Sequence, residues 1–125
     1  RKNKEFIINY LNAVSGVEKA RELLEKYISD EALISHIEVF EAAFPKYDLF
    51  IDEMTAEGKR IIIKARVNGT HLGDLGGISP TYKKVDFPVI VAYEIENNKI
   101  ISHWMLADQM KLMEQLGVIP EAAAH

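Results

Sequence analysis

No cysteine occurs among the 125 residues, which removes disulfide bridges, thiolate nucleophiles and Cys-ligated zinc or iron–sulfur centres. Long apolar runs are missing too. None approaches the roughly 18–20 residues that cross a bilayer, and a membrane is not an expected partner. Basic residues do not predominate: nineteen acidic against fifteen basic give a formal net charge of -4, without the basic stripe that tracks a phosphate backbone, so nucleic acid is not expected either. The four histidines show no HExxH or other close ligand spacing, and no metal is expected. Gly69, Gly73, Gly76 and Gly77 precede a strand pattern and not a helix N-terminus, which argues against dinucleotide and Walker loops; no GxSxG is present. No cofactor is therefore predicted, and chemistry falls to His, Asp, Glu, Tyr, Ser and Lys.

What is present suffices for one core: the length suits one domain and 48% of residues are hydrophobic. A single domain over residues 1–120 is expected. The opening Arg1-Lys2-Asn3-Lys4 leads into an amphipathic segment and not a signal h-region, which makes the cytoplasm the default location. Glu121-Ala122-Ala123-Ala124-His125 reads as a linker or tag remnant, and His125 is given no role.

Helical periodicity runs through Phe6, Ile7, Tyr10, Leu11 and Val14, then Val17, Ala20, Leu24, Tyr27 and Ile28, then Leu33, Ile37, Phe40 and Phe44. Ser15-Gly16 separates the first two, Ser29-Asp30 caps the third and Pro45 stops it. From Tyr47 the period becomes two, with strands expected near 47–55, 59–72, 85–96 and 99–107. Ala56 to Lys59 and Asn97-Asn98 read as hairpin turns, and Gly69 to Lys84 holds a long connection. A short helix from Gln109 to Leu116 ends at Gly117. Helices followed by an antiparallel meander define an α+β architecture.

An Asn97-Asn98 turn with unbroken pairing sets Ile95 against Ile100, Tyr93 against Ser102, Val91 against Trp104, Val89 against Leu106 and Phe87 against Asp108. Asp108 then stands alone as the acid on the most apolar face, where burial would raise its pKa into the range useful for proton transfer. It is equally placed to cap the last helix. His71 shares an inward face with Ile61, Ile63, Ala65 and Val67, as a partner for Asp108 across a ligand or as a hydrogen-bonded core histidine. Trp104, Phe87, Val91, Tyr82 and Tyr93 are the expected pocket residues. Ile90, Ala92, Ile101, His103 and Met105 form the opposite, mixed face, expected to pair two copies. Met105, Met110 and Met113 read as core packing, and the charges from Glu18 to Lys26 as a solvated helix face.

Gly69-Thr70-His71-Leu72-Gly73, Gly77-Ile78-Ser79-Pro80-Thr81, Lys99-Ile100-Ile101-Ser102-His103-Trp104 with Asp108, and Gln115-Leu116-Gly117-Val118 together resemble the SnoaL-like polyketide cyclase and ester cyclase family of the nuclear-transport-factor-2-like superfamily. Ala43-Phe44-Pro45 extends the likeness upstream. The resemblance implies a cone-shaped, cystatin-like fold, with a curved antiparallel sheet wrapped against N-terminal helices, a hydrophobic cavity, and dimerisation through the sheet. It also implies an aspartate acid–base at the position of Asp108 that drives an intramolecular aldol closure. Tyr82 replaces the usual Gly after Pro-Thr, Ser102 the usual Glu before His-Trp, and the segment around His36 is shorter, so no catalytic role passes to His36. Two readings follow: an enzyme acting on an apolar carbonyl compound through Asp108 and His71, or a non-catalytic ligand-binding or dimerisation module.

Overall fold

A computed structural model of the chain describes residues 2–119; the segment 121–125, read above as a linker or tag remnant, lies outside the described residues. Helices α1 (Lys2–Val14), α2 (Arg21–Glu25) and α3 (Glu31–Ala43) precede strands β1 (Asp48–Glu57), β2 (Arg60–Thr70), β3 (Lys84–Glu96) and β4 (Lys99–Ala107), and α4 (Gln109–Leu116) closes the order. The strands form one antiparallel sheet in the order β1-β2-β3-β4, a curved open sheet packed by helices; the periodicities predict the helices and the meander, and the family resemblance implies the curvature.

Helix α1 buries Ile7, Tyr10, Leu11 and Val14, the one-face spacing of an amphipathic helix. Helix α3 starts at Asp30, whose carboxylate accepts from the amides of Ala32 (3.0 Å) and Leu33 (3.3 Å), two of the donors that a helix start leaves unpaired. Its buried residues include Leu33, Ile34 and Ile37. In β2, burial alternates strictly, with Ile61, Ile63, Ala65 and Val67 inward, and β3 continues that inner face with Val85, Phe87, Val89, Val91 and Tyr93. One face of the sheet thus joins the helices in a common core.

The β3–β4 hairpin turns at Asn97 and Asn98, both with left-handed φ (50° and 59°), as a two-residue turn between twisted strands requires. Pairing begins as predicted, Glu96 with Lys99 and Ile95 with Ile100, but then shifts: Glu94 faces Ser102, Tyr93 faces His103, Ala92 faces Trp104 and Val91 faces Met105. Ile101 is the extra residue of a β-bulge. Because side chains alternate, one inserted residue reverses the face of everything after it. The face predicted for β4 is therefore corrected. His103, Met105 and Ala107 point inward with Tyr93, Val91 and Val89, whereas Trp104 and Leu106 are 56% and 59% exposed on the outer side.

The long connection from residue 71 to 83 is held at its ends by His71 N donating to Lys83 O and Tyr82 N to His71 O. It is tied to α3 where the amides of Leu72 and Gly73 both donate to Ala43 O (2.9 and 3.1 Å). That approach requires glycine, since a Cβ on Gly73 would stand 2.0 Å from the Ala42 carbonyl oxygen. Gly73→Ala should lower unfolding free energy by about 2–3 kcal/mol in a denaturant titration. Gly58→Asn, at a left-handed φ with nothing within 4 Å, should cost less than about 1 kcal/mol.

Candidate functional site

Between the inner face of the sheet and the helices lies a cavity of about 410 Å³, in the size range of small-molecule sites. Val67, Phe87, Val89, Val91 and Met105 supply its sheet wall, and Leu33, Ile37, Phe40, Leu112 and Met113 its helical wall. Leu75, Gly76 and Ile78, from the connection pinned by Gly73, border it as well. Apolar residues dominate; the polar groups among its lining are Tyr10, Tyr47, Tyr93, Lys19, His36 and Gln109.

His36 stands on α3 at the rim, open to solvent on one side. Partial burial lowers its pKa, and the nearby His103 lowers it further, so its imidazole is neutral and able to accept a proton near pH 7. His103, turned inward by the bulge, meets Asp30 with Nδ1 2.7 Å from Oδ2. A carboxylate accepts, so Nδ1 carries the hydrogen and the ring orientation is set. Burial pushes the Asp30 carboxyl up, but the hydrogen bonds from His103 and from the Leu33 and Ala32 amides outweigh it and hold the pKa below the usual range.

Lys19 is almost fully buried. Its ammonium donates to the carbonyls of Val17 (2.9 Å) and Tyr47 (2.8 Å), reaches Glu41 Oε1 at 3.4 Å, and lies 3.9 Å from the Tyr47 ring centroid. Burial lowers its pKa while Glu41 raises it. With its donors engaged, Lys19 braces Tyr47 and the start of β1.

The sequence-predicted residues divide into two groups. Phe87, Val91 and Tyr93 line the cavity. Trp104 and Asp108 do not: the bulge places Trp104 on the outer face, and exposed Asp108 caps α4 by accepting from the Lys111 amide at 3.0 Å. Asp108 borders a shallow outer depression with Lys64, Pro88, Ile90 and Leu106. His71 is fully buried, stacked on Phe44 at 5.2 Å between ring centroids. Its Nδ1 accepts from the Thr81 amide at 3.0 Å, which leaves the hydrogen on Nε2, and Nε2 has no partner among the described residues. That side chain holds the connection and is not part of the cavity lining. Tyr82 is 71% exposed, at a left-handed φ of 61°, and stands away from the lining. The unbroken register misses His103, and the helical setting of His36 hides its place at the rim; the His–Asp pairing needs the three-dimensional fold to be seen.

Asp30 carries a pH dependence of stability. A carboxyl whose folded pKa is depressed contributes stability that is present above its unfolded pKa of about 4 and lost as pH falls through the folded value. Asp30→Asn should therefore destabilise the protein near neutral pH and matter progressively less as the medium is acidified below about pH 4. A constant penalty across denaturant titrations at both ends of that range would contradict the pairing with His103.

The model of one family, the SnoaL-like polyketide cyclases, matches residues 12–116. Among solved structures, AclR of Streptomyces galilaeus, described as a candidate hydroxylase, superposes with a TM-score of 0.82 at 20% identity, over 97% of this chain and 84% of that one. A SnoaL-like polyketide cyclase of Agrobacterium tumefaciens gives a TM-score of 0.75 at 17% identity, over 92% and 98%. TsrD of Streptomyces laurentii gives 0.79 at 19%, over 95% and 98%. At such identities these likenesses speak for the fold alone. No curated protein matches the chain.

Proposed function

The chain belongs to the SnoaL-like polyketide cyclase family, and we propose that its cavity takes a small, largely apolar carbonyl compound on which the protein performs acid–base chemistry. The observation that carries this reading is the apolar cavity of about 410 Å³ with a neutral imidazole, His36, at its rim. Apolar walls favour a ligand that leaves water. In the proposed step the His36 imidazole takes the proton from a carbon next to the carbonyl. The C–H electron pair becomes the new C=C bond, the carbonyl π pair moves to oxygen, and the imidazolium returns the proton when the enolate collapses. His103, oriented by Asp30, stands close to His36, and burial together with that proximity lowers the His36 pKa.

Proton–deuterium exchange at the methyl ketone of acetylnaphthalene in deuterated water tests this without knowledge of the natural substrate. Exchange above the buffer rate is expected, falling as pH drops through the lowered His36 pKa, and His36→Gln should reduce it by roughly 100-fold or more. Asp108→Asn, which keeps a capping oxygen at the outer face, should leave it unchanged. Loss of exchange in Asp108→Asn with retention in His36→Gln would move the acid–base role to Asp108. Binding without exchange would favour the non-catalytic module, a reading supported by the lack of any carboxylate among the described residues lining the cavity.

The same reading includes a homodimer formed through the outer face of the sheet. Ile62, Ile90, Trp104 and Leu106 are each at least 39% exposed there, with buried Ala92 among them, more contiguous apolar surface than scattered exposed residues present. Trp104 and Leu106 take the places that the unbroken register gave to His103 and Met105. Light scattering should report a dimer, and Leu106→Glu should shift it to monomer; a monomeric parent protein at high concentration would remove the proposal.

A further inference from the structure

Three phenols reach the cavity from three different elements: Tyr10 from α1, Tyr93 from β3, and Tyr47 just ahead of β1. All three side chains are buried, at 2%, 4% and 6% exposure. Tyr10 and Tyr93 meet edge to face with centroids 6.1 Å apart, and Lys19 fixes Tyr47 from below through its ring and its carbonyl. Among the described residues none of the three hydroxyls has a hydrogen-bond partner, yet none is sealed off as an orphaned buried atom. They open onto the cavity. A buried hydroxyl without a partner costs stability, so three around one space form an unusual polar patch in an otherwise apolar chamber. Burial raises the pKa of each, and Tyr93 adds to the rise for Tyr10 and Tyr47; all three remain neutral and hold a proton to donate.

We propose that Tyr10, Tyr47 and Tyr93 form a subsite that donates hydrogen bonds to a ligand oxygen, so that the cavity selects apolar ketones bound through their carbonyl. This rests on the ligand reading above and goes further, since it names the group that is recognised. Tyr93 pairs across the ladder with His103, which sets the tyrosine-lined wall beside the His36–His103 pair. A carbonyl oxygen held there lies in the same cavity that His36 borders. Donors in place before reaction strengthen as charge gathers on that oxygen, because an enolate accepts more strongly than a ketone.

The test compares acetylnaphthalene with ethylnaphthalene, which has nearly the same shape and lacks the oxygen, by calorimetry against the full chain. The ketone should bind at least tenfold more tightly. Tyr10→Phe, Tyr47→Phe and Tyr93→Phe should each weaken ketone binding by roughly two- to tenfold, the range of a single net hydrogen bond, and leave the hydrocarbon unaffected. Unchanged hydrocarbon binding also certifies that each variant is folded. In the parent protein the bound ketone should show a carbonyl stretch at lower frequency than in an alkane solvent, which requires no variant. Equal binding of ketone and hydrocarbon, with no shift of the stretch, overturns the subsite and leaves the cavity as a ligand site. Failure of both compounds to bind overturns the ligand reading and the subsite with it.

Discussion

The two oxygens of the Asp30 carboxylate serve two different elements, and much of the molecule follows from that division. Oδ1 closes the first turn of α3, and Oδ2 receives the His103 imidazole from β4. The segment around it is laid along the free edge of the sheet: Ile100 N donates to Tyr27 O, while the Ser29 and Asp30 amides donate to Ile100 O, forming a parallel bridge at Ile28. An edge strand left open is a template for unwanted pairing; here the run before α3 covers part of it. The helix that carries His36 and the strand that carries His103 are thereby locked at one point, and the cavity opens between them.

Elements were easier to read from the sequence than facing. Asp30 as a cap, Gly117 as a left-handed helix stop and Asn97-Asn98 as a turn are local choices, each set by the conformational needs of one or two residues. The alternation in β2 was equally plain, because β2 lies inside the sheet with one face packed by helices. In β4 Ile100, Trp104 and Leu106, interrupted by Ser102, look like an apolar stripe, and counting from the turn favours it. The bulge at Ile101 leaves no mark of its own in that composition: no glycine or proline announces it. Unbroken counting carries Trp104 and Asp108 to the wrong side by one residue, while Phe87, Val91 and Tyr93, on a strand without such an interruption, lie where the alternation puts them.

The cavity is less legible in the sequence than the strands. Tyr10 and Tyr47 read as ordinary members of apolar patterns, since periodicity registers the ring and is silent on the hydroxyl. Their significance depends on convergence from elements far apart in the chain. Lys19 was hidden by the same logic: a lysine in a charged segment reads as solvated surface, yet this one is drawn inward by two carbonyls and an aromatic face. His36 could be placed on a helix but not at a rim, because the rim exists only once β4 and α3 are brought together.

The bulge at Ile101 also bears on how such a pocket changes over descent. A substitution in β4 alters one contact, whereas drawing the extra residue into a regular ladder, with the chain length unchanged, would exchange two whole sets of side chains, bringing Trp104 and Leu106 into the chamber and turning His103 and Met105 out. The strand would remain a strand, with its backbone ladder intact. Whether the strand keeps its bulge thus works as a coarse control over what the chamber presents, and hairpins of similar residues can line their interiors with different chemistry.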